Sequence, residues 1–370
     1  MDPTVAFCPN LDCPARGQTG EGNIGIHSRR ERRFICRQCG KTFAATTGTA
    51  WYRLRTATEV VRTVVTLLAH GCPLQAIVAA YGFDERTVAN WLTRAGVHSQ
   101  ALHEHLVERP QDLGQVQADE LRVKRQGGVV WMALAMRVRT RLWLGGEVSA
   151  RRDLALIRAL LTRVRRGALA RTLLFCTDGV CASVRAIRET CREPLHTGQR
   201  GRPRGRAGKG SLIAQVVTRY AKRRVVAVTR RILQGRRRQV AAVRQRSQGA
   251  GVSNTADIER LNAPFREHLA PLVRRGRARA RRTLTLQQGR YLSGTVSNFC
   301  TIHDSLCCTT PCEGAARLPQ TPAMAAGITA HCWTVQELLS CPVPPPRWTP
   351  PKRRGRPSRA LQLAIARWCL

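Results

Sequence analysis

The chain has 370 residues, and 62 Lys and Arg against 23 Asp and Glu give it a formal net charge of +39. An excess of this size favours a polyanionic partner, because each cation placed on a phosphate releases condensed counterions. No apolar run approaches the roughly 20 residues of a membrane-spanning helix, and the N-terminus lacks the pattern of a secretory signal. The composition therefore argues against a membrane or secreted protein.

Two close cysteine pairs lie near the N-terminus. Cys8 stands with Cys13 and Cys36 with Cys39, and 22 residues separate the pairs. Four thiolates complete the tetrahedron that zinc accepts, so we predict a structural zinc ribbon over residues 1–50. With all four positions filled, such a site leaves no coordination position for catalysis. The alternative is four unrelated free cysteines.

The stretch 55–97 has the periodicity of helices. Pro73–Tyr81 predicts a short helix, and Asp84 is a suitable N-cap for a second helix, Glu85–Ala95. Three polar residues spaced four apart lie opposite the apolar side of the second helix, where base edges and phosphates would be contacted. They are Arg86, Asn90 and Arg94. We predict a helix-turn-helix DNA-binding domain; an ordinary helical hairpin is the alternative.

From about residue 113 the pattern changes to alternating strands and then to helices between strands. The predicted strands are Gln115–Lys124, Val129–Arg137, Arg141–Val148 and Leu173–Cys176, and the predicted helices are Asp153–Arg166, Val180–Glu189 and Asp257–Leu269. The first three strands are expected to form an antiparallel meander. This order predicts a mixed-sheet α/β domain over residues 113–300.

Two basic segments stand apart from this pattern. An insertion at about residues 194–253 interrupts the α/β domain, and 197–248 contains sixteen Lys or Arg and no acid. Residues 301–370 are rich in Cys and Pro and are predicted to form a basic tail. Both segments contain Arg-Gly-Arg-Pro, which resembles the core of an AT-hook and fits a narrow minor groove. Its candidate DNA contacts are Arg202, Arg354 and Arg356. A solvated basic tail is an equal alternative.

Three carboxylates occupy positions that suit metal-dependent phosphodiester chemistry. Asp119 falls in the first strand of the meander, Asp178 follows the buried strand, and Glu259 lies on the last predicted helix. Hard divalent cations require carboxylates that converge from several elements. The residues beside Glu259 on its helix face are Asn262 and Arg266, which are candidate DNA contacts because an amide and a cation beside a metal ligand suit a phosphate backbone. Asp257 lies about 200° around that helix from Glu259, so Asp257→Asn is expected to change cleavage only mildly. The alternative is three ordinary surface carboxylates.

Several short motifs carry a resemblance to a known family. They are Cys36-x-x-Cys39-Gly40-Lys41-x-Phe43, Asp119-Glu120, Thr177-Asp178-Gly179, Ile258-Glu259-Arg260-x-Asn262-x-x-x-Arg266 and the basic run Arg274–Arg282. Together they resemble bacterial insertion-sequence transposases of the insertion element one lineage, over nearly the whole chain to about residue 340. Where many relatives carry aromatic residues after the first and second Asp, this chain has Arg122, Val180 and Ser183.

The resemblance implies a fold, an activity and a set of site residues. The fold would be an RNase H-like DDE domain after the zinc ribbon and helix-turn-helix. Asp119, Asp178 and Glu259 would bind Mg²⁺ or Mn²⁺, and Arg266 would bind a phosphate of the DNA backbone. Water would cut the strand at the element's end, and the freed 3′-OH would join target DNA.

The same resemblance implies the partners and the location of the protein. It would bind double-stranded DNA at element ends and at the target as a homo-oligomer, in the cytoplasm with the nucleoid, without a membrane or a small-molecule substrate. The alternatives are an RNase H-like nuclease without strand transfer, and a DNA-binding regulator or inactive remnant that needs no catalytic metal.

Overall fold

The computed structural model describes residues 1–169, 172–179, 181–195, 204–207, 210–222, 224–249, 251–273, 280–309, 317–351, 355 and 357–369. The candidate DNA contacts Arg202, Arg354 and Arg356 lie outside the described residues, as does most of the basic run Arg274–Arg282. The chain divides into two compact units. Unit 1 is Met1–Arg62 with Leu339–Leu370, and unit 2 is Thr63–Leu338.

The strands are β1 (Ile24–Ser28), β2 (Arg33–Cys36), β3 (Thr42–Ala44), β4 (Gln115–Arg125), β5 (Gly128–Arg137), β6 (Trp143–Ser149), β7 (Leu173–Thr177), β8 (Arg192–Leu195), β9 (Arg204–Ala207), β10 (Ser211–Ala221), β11 (Arg224–Gln234), β12 (Cys308–Thr309) and β13 (Arg317–Leu318). The helices are α1 (Thr58–Ala69), α2 (Leu74–Tyr81), α3 (Glu85–Leu106), α4 (Leu154–Arg166), α5 (Cys181–Thr190), α6 (Arg237–Gln248), α7 (Ala256–His268), α8 (Thr283–Phe299), α9 (Pro322–Ala325), α10 (Val335–Ser340) and α11 (Arg359–Trp368). Short 3₁₀ turns cover Ala270–Leu272 and Asp304–Leu306.

Unit 1 joins the N-terminal sheet to the C-terminal segment. β1, β2 and β3 form an antiparallel sheet, and Phe34 of β2 packs against Phe43 of β3 with ring centroids 5.9 Å apart. Trp368 is buried in the same apolar cluster, and its carbonyl accepts a hydrogen bond from Gln18 Nε2 at 3.0 Å. Residues 339–369 therefore complete this unit, whereas the sequence predicted a separate tail over 301–370.

Unit 2 contains the mixed sheet that the sequence predicted. Among the described residues, six strands pair in the order β11-β10-β7-β4-β5-β6. β4, β5 and β6 form the antiparallel meander. β7 lies parallel to β4, β10 lies parallel to β7, and β11 pairs antiparallel with β10 at the edge. The α/β class is confirmed, and the two long strands of the basic insertion, β10 and β11, extend the sheet.

Two helices cover the same face of this sheet. α7 buries Ile258 and Phe265 in a cluster with Leu121 of β4. α6 buries Val240 in a cluster with Cys176 of β7. Cys176 pairs with Gln117 on β4, and Leu121 stands four residues after Gln117, so the alternation of side chains puts both clusters on one face.

The helix α3 is longer than its sequence predicted. It begins as expected, because Asp84 Oδ1 accepts hydrogen bonds from the backbone N–H groups of Arg86, at 2.9 Å, and Thr87, at 3.2 Å. It then continues past Ala95 to Leu106. Gly96 lies within this longer helix, where its lack of a side chain allows a close crossing with α8. α2 and α3 consequently belong to the same compact unit as the sheet, with no division at residue 97.

This crossing gives a prediction for stability. A Cβ atom at Gly96 would stand 2.5 Å from Gln288 Cβ and 2.8 Å from its Cα. We expect Gly96→Ala to lower the free energy of unfolding by about 1–3 kcal/mol, because backbone atoms cannot move aside cheaply. Urea unfolding of the full chain measures this. Gly289→Ala is the control, since its Cβ would meet only the movable Leu269 Cδ2, at 2.9 Å. Equal stability of the two variants would contradict the close crossing.

Candidate metal centres and nucleic-acid interface

The four N-terminal cysteines converge in unit 1. Cys8, Cys13, Cys36 and Cys39 place their sulfur atoms within 4.8 Å of one another. The Sγ–Sγ distance is 3.7 Å for Cys8 and Cys39 and 3.8 Å for Cys13 and Cys36. Four thiolates at about 2.3 Å from a tetrahedral zinc ion stand about 3.8 Å apart. The cluster therefore has the dimensions of a site for a metal such as zinc, as the cysteine spacing predicted.

Local backbone turns aim these thiols inward. Gly40 follows the second pair with φ of 70°, and its N–H donates to the Cys36 carbonyl at 2.8 Å. A residue with positive φ is readily supplied by glycine. Burial raises the pKa of Cys8, and it raises the pKa of Cys13 to about 12. A bound cation would offset this cost, since metals bind the thiolate form.

A second cluster lies on the sheet of unit 2. Asp119, Glu120 and Asp178 place one carboxylate oxygen each within 4.8 Å of one another. The parallel pairing of Gln117 with Cys176 puts Asp119 beside Asp178, because each acid follows its paired residue by two positions. Among the described residues, these three acids and the four cysteines are the groups that could hold a metal ion.

Asp119 is the best-held member of the acidic cluster. Its Oδ2 accepts a hydrogen bond from Asn262 Nδ2 of α7 at 2.6 Å, and its Oδ1 accepts one from the Glu120 N–H at 2.8 Å. Burial raises the pKa of Asp119, and the neighbouring Asp178 charge raises it further, while the Arg266 charge acts in the opposite direction. The structure thus brings Asn262 and Arg266 to Asp119.

Glu120 has a cationic partner of its own. Arg152 donates to Glu120 Oε2 from Nη2 at 2.8 Å and from Nε at 3.3 Å. The same guanidinium lies 4.0 Å from Asp178 and 5.1 Å from the centre of the Trp131 ring. Burial raises the pKa of Glu120, and Arg152 opposes that rise. The sequence motifs included Glu120 only as the neighbour of Asp119, and the alternation of side chains along a strand gives no signal that both acids reach one cluster.

Glu259 does not join the acidic cluster. It is exposed on α7, one turn before Asn262, and it is outside the group of described acids whose oxygen atoms lie within 4.8 Å. Its role as a metal ligand stays a prediction.

The neighbouring Asp257 has a different environment. It is buried and forms an ion pair with Arg141. Gln117 Nε2 and Gln248 Nε2 each lie 3.3 Å from its Oδ2 and donate to it. Asp257→Asn would remove a charge from this buried ion pair and is expected to lower stability, which the position on the helix alone did not indicate. Its effect on cleavage stays a prediction.

The candidate base-reading residues lie along the first half of α3. Arg86 and Asn90 are exposed and Arg94 is half-buried. Trp91, about 100° around the helix from Asn90, packs edge-on against Phe83 with ring centroids 5.2 Å apart. This contact fixes α3 against the turn that follows α2.

The fold and the two clusters define the class of protein only broadly. It is a mixed α/β protein with a six-stranded sheet in its described part and a cysteine cluster suited to a metal such as zinc. No protein-family model matches the chain, and no curated protein matches it. No helix within the described ranges is long and apolar enough to cross a membrane.

Proposed function

We propose that this protein is a DNA transposase that binds the ends of its element and then cuts and joins DNA with the help of divalent metal ions. The observation that carries the proposal is the acidic cluster: Asp119, Glu120 and Asp178 converge within 4.8 Å. Asn262 bonds to Asp119, and the Arg266 charge acts on it. Carboxylates with an amide and a cation beside them suit metal ions that hold a phosphate.

The sheet supports an RNase H-like reading of unit 2. A meander of three antiparallel strands, with β7 and β10 added in parallel beside its first strand, is the arrangement expected of that fold. Asp119 stands on the first strand of the meander and Asp178 directly follows β7. In this reading β11 and α6 are additions supplied by the basic insertion.

The roles of the residues follow from their contacts. When bound, divalent ions would activate the attacking oxygen and stabilise the leaving one. Asp119 and Asp178 would bind them, and Glu120 is placed to contribute a further oxygen. Asn262 orients the Asp119 carboxylate, and Arg266 supplies positive charge for the phosphate. Burial raises the pKa of Asp119 and Glu120, and a divalent cation would favour their ionised forms.

Unit 1 and the α2–α3 pair would dock the element ends. We propose that the four cysteines hold structural zinc and that α2 and α3 act as a helix-turn-helix. The net charge of +39 supports a nucleic-acid partner. A homo-oligomer on DNA is part of the proposal, since two element ends must be held together for joining.

One assay separates this function from its alternatives. The purified full chain is incubated with Mg²⁺ and labelled linear DNA carrying the ends that flank its coding sequence, and products are scored for nicking and joining. Joined products support a transposase. Cleavage without joining indicates a nuclease, and specific binding without either reaction in Mg²⁺ or Mn²⁺ indicates a regulator or an inactive remnant.

The proposed base-reading helix gives a further prediction. We expect Asn90→Ala to weaken binding at the element end by about 1–3 kcal/mol and to change binding to random DNA little, because a base contact carries sequence information. Titration of both DNAs measures the difference. Gln75→Ala on α2 is the control, as it also removes an exposed amide. Equal losses on the two DNAs would mean that Asn90 reads no base.

A further inference from the structure

A basic cavity lies in unit 2 between β11 and α6. Its volume is about 490 Å³, and four arginines are among its lining residues. They are Arg230, Arg231, Arg237 and Arg244. No Asp or Glu is among the described residues that line it. Like charges this close repel one another, so the cavity favours an anionic occupant.

Two of these guanidinium groups have well-defined environments. Arg230 Nε donates to the Ser253 carbonyl at 3.1 Å, which fixes the base of its guanidinium. Arg244 is half-buried, and its Nε is shielded from solvent without a hydrogen-bond partner among the described residues. A buried N–H that lacks a partner is costly, and an anionic oxygen would relieve that cost. The first turn of α6 also borders the cavity and adds partial positive charge.

The cavity lies in line with the acidic cluster. Thr177 pairs with Gln215 on β10, so the next residues, Asp178 and Val216, stand side by side. Val216 in turn pairs with Arg230 on β11. Cross-strand neighbours point to the same face, and adjacent strands stand about 4.8 Å apart. The Arg230 backbone is therefore about 10 Å from that of Asp178, on the face that also carries Asp119 and α7.

We propose that this cavity binds a backbone phosphate of the DNA strand whose other phosphate reacts at the acidic cluster. The proposal rests on the proposed function. One strand of a duplex rises about 3.4 Å per nucleotide along the helix axis, but it also winds round that axis, so neighbouring phosphates of the strand lie about 7 Å apart and a span of about 10 Å corresponds to one or two nucleotides. The arginines would hold the strand in register across the sheet while the scissile phosphate lies at Asp119 and Asp178.

The test compares two variants that remove the same charge from the same helix. Arg237→Gln with Arg244→Gln changes two cavity residues, and Arg238→Gln with Arg246→Gln changes two exposed residues of α6 outside the cavity. Binding to element-end duplex is measured without metal at several salt concentrations. Each lost phosphate contact reduces the magnitude of the slope of log K against log salt by about 0.9, so the cavity variant, which loses the one proposed phosphate, should show a slope smaller by about 0.9 and the control a much smaller change. Equal slopes would overturn the proposal.

A neutral phosphate analogue locates the contact. Single methylphosphonates are placed one to three nucleotides from the cleavage site on either side. One position should weaken wild-type binding about tenfold, and the cavity variant should bind that DNA and unmodified DNA equally. A flat scan in the wild type would contradict the cavity. If the double variant is unstable to heat, Arg237→Gln alone, at an exposed side chain, serves in the same comparison.

These readouts separate the two proposals. Binding without metal does not depend on cleavage. If one methylphosphonate position weakens binding but the protein never cuts DNA, phosphate binding in the cavity is supported and the transposase activity is contradicted. DNA cleavage and joining by a protein whose binding is weakened by no single methylphosphonate would support the transposase and contradict phosphate binding in the cavity.

Discussion

Asp119→Asn is expected to lower DNA cleavage and joining by about a thousandfold or more. The charge stabilisation that metal ions supply is worth several kcal/mol, and each 1.36 kcal/mol changes a rate tenfold. An asparagine keeps the size of the side chain and still offers an oxygen to Asn262 Nδ2, which lies 2.6 Å from Asp119 Oδ2. The fold and the binding of DNA ends should therefore survive. Cleavage rates at saturating DNA, with binding measured in parallel, give the result.

The control removes a carboxylate from α7 without touching the cluster. Glu267 is exposed on the same helix as Asn262, and Glu267→Gln should leave cleavage within about twofold of the wild type, as for a surface residue. An Asp119→Asn protein that still cleaves at the wild-type rate would remove the acidic cluster from the reaction. A variant that loses DNA binding as well would instead indicate damage to the fold.

The third carboxylate can be decided in the same assay. The resemblance assigns it to Glu259, whereas the described geometry groups Glu120 with Asp119 and Asp178. If Glu259 moves to the cluster when metal and DNA bind, Glu259→Gln should abolish cleavage and Glu120→Gln should reduce it less. The reverse ranking would assign the ligand to Glu120. Metal titration of each variant shows whether added Mn²⁺ restores its activity.

Cys36→Ser is expected to remove the bound zinc and to unfold unit 1. A structural zinc site contributes roughly 10–16 kcal/mol of apparent binding free energy in small modules, which is folding free energy for the segment that it closes. Because Trp368 lies in the same apolar cluster as Cys36, the C-terminal segment should become sensitive to protease together with residues 1–50. Metal analysis and limited proteolysis of the full chain measure both effects.

Cys72→Ser is the matched control for this experiment. Cys72 is half-buried, belongs to unit 2 and stands outside the cysteine cluster. The zinc content and the protease pattern of the Cys72→Ser protein should equal those of the wild type. Intact protein without bound metal, or a Cys36→Ser protein that keeps both its zinc and its protease resistance, would contradict the zinc assignment.

The sheet was predictable because its residues alternate. Period-two patterning placed β4, β5 and β6 within two residues of their ends, and the spacing of Cys36 and Cys39 indicated the cysteine cluster. Asp119 and Asp178 lie close together because β4 and β7 pair in parallel. The order of predicted strands and helices along the chain is compatible with such a pairing. The place of Glu120 depends on the Arg152 side chain, and no local pattern encodes such a long-range contact.

Other differences have a common physical origin. The predicted helix Glu85–Ala95 stops before Gly96, and glycine disfavours helices, yet in the structure the absence of a side chain at Gly96 permits α3 to cross α8 closely. The sequence placed the Pro-rich stretch after residue 342 in a separate tail. Instead, the Val343 N–H donates to the Gly48 carbonyl at 2.9 Å, which ties that stretch into unit 1. Tertiary packing determines both the length of α3 and the place of the Pro-rich stretch. A single sequence contains little information about such packing.

Unit 1 is built from the two ends of the chain, and this limits when it can be completed during translation. Its two segments are separated along the chain by residues 63–338, so a ribosome that adds about 5–20 residues per second reaches the second segment roughly 15–55 s after completing the first. Until then the cysteine cluster lacks the Trp368 side chain that shares its apolar core. Prematurely terminated chains would never acquire this closing segment. The core around the cysteine cluster would thus be completed only in chains that had been translated through unit 2, which carries the acidic cluster.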